Sequence, residues 1–404
     1  MGKRLISLFL TFLLVACQGS GVATLLLTST PVPSTATFTL TETPKPTSVP
    51  EPTSTPVPTA TLAPVERLVF EEGRSAVFIN SDGSGREELV LLPPDSTLDH
   101  LRAIQPSPDG NYLAFGAFIE VPTASQIYSP LSVINITSQS TSEVVPEWGS
   151  LVGVSWAPDG GAFVIPANRV VVWNLSTQQL KYVTSYGDVH EHHLYPSWSP
   201  DGKLIAFANF RSEINSGPSN YDKENHGALY LIRPDGSEAR MLVDRIYLQG
   251  WDAFSDLEAS FNIFAWSPDS RWVAYLTGDT TPDMAIANIE TGETRILAPS
   301  PVKDVNPDWS PDGTRIAFVS NRNGKDEIFV VGIDGENLTS LTPNPEFDNF
   351  SPVWSPTGSH LAWLTGNIGG ALVYTITVSN ADGTAPMQLG LSVSRPAWLP
   401  AQKP

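Results

Sequence analysis

The 404-residue sequence holds one cysteine, Cys17, four methionines and six histidines, and its 23 lysines and arginines are outnumbered by 42 aspartates and glutamates. A single cysteine excludes an internal disulfide, so packing alone must hold the fold together. The shortage of positive charge leaves a formal net charge of −19. That balance argues against nucleic acid and against docking on anionic lipid, and favours solubility or cationic partners. No Gly-x-Ser-x-Gly occurs, nor a phosphate-cradling glycine loop or a dinucleotide fingerprint, which removes the common signatures of serine hydrolases and nucleotide enzymes.

What is present at the N-terminus is an address. Lys3-Arg4 precedes an apolar run from Leu5 to Val15, too short to span a bilayer and of the right length for a signal peptide. Leu14-Val15-Ala16-Cys17 is similar to a bacterial lipobox, which implies cleavage after residue 16 and lipidation of Cys17. Residues 17–65 are then rich in Thr, Pro and Ser with almost no charge, a composition that cannot bury a core. Extended at about 3.1 Å per residue, such a stalk reaches on the order of 100 Å from a membrane. The expected organisation is a signal peptide over 1–16, a disordered stalk over 17–65 and a folded domain over 66–400.

The folded part repeats one motif. Trp198-Ser199-Pro200-Asp201-Gly202 returns as Trp156-Ala157-Pro158-Asp159-Gly160, Trp266-Ser267-Pro268-Asp269-Ser270, Trp309-Ser310-Pro311-Asp312-Gly313 and Trp354-Ser355-Pro356-Thr357-Gly358. Degenerate copies flank these at Pro106-Ser107-Pro108-Asp109-Gly110 and Trp398-Leu399-Pro400. Ser-Pro-Asp-Gly is a tight turn, in which Pro fixes the first central φ, Asp bonds its own backbone and Gly accepts the left-handed conformation. The apolar run that follows, such as Leu204-Ile205-Ala206-Phe207, reads as a strand buried on both faces. A third strand, an Asp-Gly turn and a short fourth strand complete each unit, as in Glu327 to Thr342. Four short strands in roughly 45 residues, repeated, are a propeller signature.

Trp-Ser-Pro-Asp-Gly, Ile-Ala-Phe, a hydrophobic third strand, Asp-Gly and Leu-Thr together resemble the TolB-type, WD-repeat-like β-propeller repeat. The resemblance implies an all-β propeller of four-stranded blades and says little of function, since such repeats occur in scaffolds, in peptidase propellers and in sugar lyases. Counting units gives seven blades, with six as the alternative. The first unit, from Arg67 to Leu91, lacks a first strand, and Arg395-Pro396-Ala397-Trp398-Leu399 is the segment expected to supply it and close the ring.

Two histidine-bearing loops fall in one blade: His190-Glu191-His192-His193 and Tyr221 to His226. Imidazoles beside carboxylates suit a divalent ion, with His190, His192, His193 and His226 as candidate ligands, although the spacing matches no established metal motif. The next insertion adds Trp251, Asp252 and Phe254, the aromatic and hydrogen-bonding mixture of a glycan or peptide site. His190, Glu191, His192, His193, His226, Trp251, Asp252 and Phe254 are therefore the candidate ligand-binding set, on the face that carries the connections between blades. The preferred reading is a monomeric, non-catalytic binding or scaffold propeller for a protein or glycan of the cell envelope. It is held at the bacterial membrane through Cys17, needs no cofactor and excludes nucleic acid. The alternative is a metal-dependent carbohydrate-active enzyme of the propeller lyase type. The chain ends where the ring would close, so no hydrolase domain after the propeller is expected.

Overall fold

The computed structural model describes residues 65–96, 100–119, 127–128, 131–144, 154–166, 169–185, 191–211, 226–248, 263–278, 281–343, 346–366, 374–392 and 395–400. The chain divides at Ala60, and every described residue lies in the second unit, Thr61–Pro404. The signal peptide, Cys17 and nearly all of the stalk lie outside the described residues.

Seven antiparallel sheets form the ring, and among the described residues there is no helix. Blade 1 is made of Arg67–Glu72, Ser75–Asn80 and Glu87–Val90, and its first strand is Ala397–Trp398 from the far end of the chain. Leu68 pairs with Trp398 and Val69 with Ala397, so the ring closes as the sequence predicts. Blade 2 runs from His100–Pro106 to Thr141–Val144, blade 3 from Ser155–Trp156 to Gln179–Tyr182, and blade 4 from Glu191–Trp198 to Arg240–Tyr247. Blade 5 runs from Phe264–Trp266 to Thr294–Ile296, blade 6 from Asp304–Trp309 to Thr339–Ser340, and blade 7 from Asp348–Trp354 to Met387–Ser392. Blade 2 has one addition: Ile127–Tyr128 pairs with the end of its second strand.

The strands of each blade are called A to D in chain order, with A innermost. Burial sets that direction: strand A of blade 6 is almost wholly buried, whereas strand D of blades 1, 3 and 5 is mostly exposed. Apolar residues fill both faces of strands B and C because each blade is sandwiched between two others. The core is accordingly a set of seven seams, one between each pair of neighbouring blades. The seam that closes the ring brings Leu68, Phe70, Val77 and Trp398 against Phe350, Leu364 and Ile376.

The repeated motif builds the corner between strands A and B. In blade 4 Ser199 Oγ donates to Asp201 Oδ1 at 2.7 Å and accepts the Leu204 N–H at 2.9 Å. Asp201 Oδ1 also accepts the Lys203 N–H, and Gly202 takes a φ of +74°, the left-handed region that favours glycine. Blades 5 and 6 repeat the same bonds at Ser267-Asp269 and Ser310-Asp312. The tryptophans do a second job, because four of them tie a blade to its predecessor. Trp156, Trp266, Trp309 and Trp398 donate Nε1–H to the carbonyls of Gln105, Ser197, Ala265 and Val353, at 3.0 to 3.2 Å. A buried indole with its N–H satisfied adds apolar area to the seam without an orphaned donor.

Candidate functional site: the inter-blade face

The corners and the strand C to strand D turns share one face of the ring. The connections between blades and the strand B to strand C turns share the other. On that second face the structure separates the histidines that the sequence groups together. His192 and His193 are adjacent on strand A of blade 4, and strand alternation points them to opposite sides. His192 stacks on Phe210, whose side chain belongs to the seam with blade 5. His193 is buried, lies edge-on to Phe207 in the seam with blade 3, and its Nδ1 stands 2.8 Å from Thr184 Oγ1. Thr184 in turn accepts the Val170 N–H, so His193 braces a strand end of blade 3. His226 sits edge-on to Tyr247 and places Nε2 2.7 Å from Gly278 O in blade 5.

Glu191 begins strand A of blade 4 through its backbone. His190, Trp251, Asp252 and Phe254 lie outside the described residues. Among the described residues no three His, Cys, Asp or Glu side chains gather as a metal site needs. The second aromatic and acidic stretch, Glu346 to Phe350, divides in two: Phe347 is exposed, while Phe350 is core of the closing seam.

On the same face, the turn Asn321–Asp326 is where charge concentrates. Gly324 at φ +93° tightens it, and its N–H is bonded to Asn321 O. Arg322 leaves the turn to donate to both oxygens of Asp304, each at 3.0 Å. Lys303 reaches Asp326 at 2.9 Å, and Lys325 reaches Asp348 at 3.4 Å. Asp348 also accepts the Asp326 N–H, so the connections on either side of blade 6 are laced to one turn. The aspartates are the buried partners, and both lysine ammonium groups remain partly exposed. Asp304 is fully buried; burial pushes its carboxyl up to about 6, against hydrogen bonds from Ser320 and Arg322. Such a pattern was hidden because its charges alternate through a polar turn that composition alone reads as solvated.

Nearer the axis, Arg395 donates to Asp308 at 2.8 Å and to Pro352 O at 3.1 Å. Asp308 Oδ2 accepts the Trp354 N–H, and burial pushes its carboxyl up while Arg395 pulls the other way. The innermost strands of blades 2, 4, 6 and 7 also share a bulge. In each, a non-glycine residue three positions before the end of the strand is left-handed: Ala103, Tyr195, Asn306 and Ser351, with φ between 51° and 57°. The bulge thus recurs in four of the seven axial strands and is not peculiar to one blade.

Residues 260–403, from the approach to blade 5 through the closing strand, match the family model described as the TolB beta propeller domain. Over blades 5 to 7 the repeats match the TolB type. An uncharacterized protein of Agrobacterium fabrum is 25% identical over 218 residues, covering 45% of this chain and 68% of its own. Among solved structures, oligogalacturonate lyase from Vibrio parahaemolyticus superposes with a TM-score of 0.57 at 15% identity, over 81% of this chain and 86% of that one. TolB from Acinetobacter baumannii gives 0.47 at 16% identity, over 83% and 82%. At 15% identity the likeness to the lyase is one of fold alone, which leaves the ligand to the chain's own residues.

Proposed function

We propose that this chain is a lipid-anchored protein of the bacterial cell envelope whose TolB-type propeller binds a protein or glycan without transforming it. In this reading residues 1–16 are removed, Cys17 carries the lipid, residues 17–65 are the stalk and 66–400 the binding domain. The observation that supports it most is the laced rim of blade 6. Turns braced by Arg322–Asp304, Lys303–Asp326 and Lys325–Asp348 hold two partly exposed lysine side chains in a fixed geometry, and a surface already ordered loses little freedom on binding. His192 and His226 of blade 4, two blades away on the same face, are included in the proposed surface; Trp251, Asp252 and Phe254, assigned to it from the sequence, lie outside the described residues.

The anchor is tested by expressing the full chain with a labelled fatty acid. Cys17→Ser is expected to lose the label and leave the membrane fraction; normal retention and processing of that variant would overturn the anchor. Binding is tested with the soluble Cys17→Ser chain on arrays of glycans and of envelope proteins, with and without Mn²⁺. The expected result is binding without turnover, weakened by Lys303→Ala with Lys325→Ala. Metal-dependent cleavage of a glycan, lost in His192→Ala with His226→Ala, would replace this reading with the carbohydrate-active enzyme.

A further inference from the structure

The opposite face, where the corners lie, holds a cavity of about 330 Å³ at the end of blade 3, bordered by Tyr112 of blade 2 on one side and Trp198 of blade 4 on the other. Its walls include Ala157, Asp159, Gly161, Ala162, Asn174 and Trp198. Three departures from the repeat create it. In five other seams a larger residue stands five positions after the start of the corner, in the seam of the next blade's tryptophan. Tyr112 packs in the seam of Trp156, Leu204 in that of Trp266 and Trp272 in that of Trp309. Arg315 lays its guanidinium 4.7 Å from the ring centre of Trp354, and the His360 ring lies 6.2 Å from that of Trp398. Between blades 3 and 4 the covering residue is Ala162, and Trp198 borders the cavity instead.

The other two departures free the carboxylate. Ala157 stands where the other complete corners have serine, so Asp159 has no hydroxyl donor, and its bond among the described residues is the Gly161 N–H at 2.9 Å. It joins no ion pair among them. Gly161 occupies the position of Asn111, Lys203, Arg271, Thr314 and Ser359, and its backbone does not demand glycine. A Cβ there would stand 3.4 Å from Asp159 Oδ1, in ordinary contact, in the space beside the carboxylate.

The seam between blades 6 and 7 shows what fits such a space. Among the described residues Trp198 and Trp354 share a trait seen at no other motif tryptophan: a side chain of the preceding blade takes their backbone N–H. Ser155 Oγ accepts from Trp198 at 2.9 Å and Asp308 Oδ2 from Trp354 at 2.8 Å. Neither indole bonds across to the preceding blade; Trp198 Nε1 turns back to Gly202 O. In the seam of Trp354 the space is filled by Arg315, stacked on the indole beside Asp312. Burial pushes the Asp312 carboxyl up, and bonds from Ser310 and Thr314 with the charge of Arg315 hold it below the usual range. Between blades 3 and 4 the aspartate and the tryptophan are kept and the arginine is absent.

We infer that the cavity at the corner of blade 3 binds a guanidinium group, stacked on Trp198 and paired with Asp159, as Arg315 stacks on Trp354 beside Asp312. A carboxylate and an aromatic face are the two elements that select a planar cation over a neutral ligand, and a protein of net charge −19 attracts one. The volume is at the lower end for small-molecule sites and suits one arginine side chain.

The test is calorimetric titration of the full-length chain with N-acetylarginine amide, N-acetylcitrulline amide, glucose and a short peptide with one central arginine. Saturable binding of the arginine amide is expected, with citrulline amide, its neutral isostere, and glucose not binding. Asp159→Asn, at an exposed position, is expected to weaken binding about tenfold or more, the worth of a hydrogen bond to a charged group. Ala162→Arg supplies the guanidinium from within and is expected to abolish binding. A peptide tighter than the amide identifies a partner protein's arginine as the source; equal affinity identifies a free small molecule. Equal binding of citrulline amide, binding of glucose instead, insensitivity to Asp159→Asn, or no saturation at all would each overturn the inference. None of these outcomes touches the laced rim on the other face.

Discussion

Two of the corners that depart from the repeat do so in opposite ways. In blade 7 the aspartate is lost to Thr357, yet the carboxylate returns from elsewhere. Glu66, 291 residues away in sequence, accepts the Thr357 N–H at 2.9 Å, the Ser359 hydroxyl at 2.8 Å and His360 Nδ1 at 2.8 Å. In blade 3 the aspartate is kept, but its serine partner and the covering side chain are gone, and among the described residues nothing replaces them. A departure that the chain itself repairs belongs to the fold, and here it locks blade 1 to blade 7 beside the closing strand. A departure left unrepaired, at the cost of an open seam, is the better place to look for a ligand.

Breaking the repaired side should have the largest effect. Trp398 is buried in the closing seam and donates to Val353 O, so Trp398→Ala removes a core side chain and the ring's last tie. Losses of about 3–5 kcal/mol are expected for such a truncation. Trp198→Ala, beside a cavity already open, should cost distinctly less. Equal shifts of the two midpoints in chemical denaturation would abolish the distinction between the two seams.

Glu66 gives a smaller and pH-dependent effect. Burial pushes its carboxyl up, but the bonds from His360, Thr357 and Ser359 outweigh that and hold it below its ordinary value near 4.5. A folded-state value lower than the unfolded one favours the folded state once both are ionised. The contribution is therefore complete above about pH 4.5 and is lost as pH falls through the depressed folded value. Glu66→Gln should cost about 1.5–3 kcal/mol at pH 7, the range for hydrogen bonds to a charged group. The gap between wild type and variant should close on acidification. Adding Thr357→Asp to that variant restores a carboxylate in the repeat's own position and should recover part of the loss; no recovery would mean that Glu66 acts through something other than the corner.

The ring, its seven blades and its closure were legible because turn chemistry and burial on both faces write themselves into each copy. Trp398-Leu399-Pro400 announced the closing strand as plainly as the full motifs did. Glu66 could not be found the same way, since a lone glutamate before the first strand is recognisable only once blade 7 lies beside it. The histidine cluster misled in part for a related reason: adjacency in sequence placed His192 and His193 together, and the strand's alternation sent them to different seams. The cavity left a trace in Ala157, Gly161 and Ala162, small residues where other blades carry larger ones. Reading that trace needs the blades aligned in space, because only then does Ala162 fall opposite Trp198 as Arg315 falls opposite Trp354.

Ala157→Ser sharpens the comparison from the unrepaired side, with the smallest expected effect. The backbone of this corner already matches its neighbours: the Ala157 N–H is bonded to Ala162 O at 2.8 Å, as the Ser199 N–H is to Leu204 O, and Gly160 takes a φ of +71° against +74° at Gly202. A serine here finds its position prepared, and its hydroxyl can donate to Asp159 as Ser199 does to Asp201. One such bond is worth about 1 kcal/mol of stability. The same bond engages the carboxylate that the proposed guanidinium needs, so the variant should unfold at a higher temperature while binding arginine amide more weakly. A gain of stability with undiminished binding would show that Asp159 is not the counter-ion, and a loss of stability would show that blade 3 does not share the corner geometry on which the comparison rests.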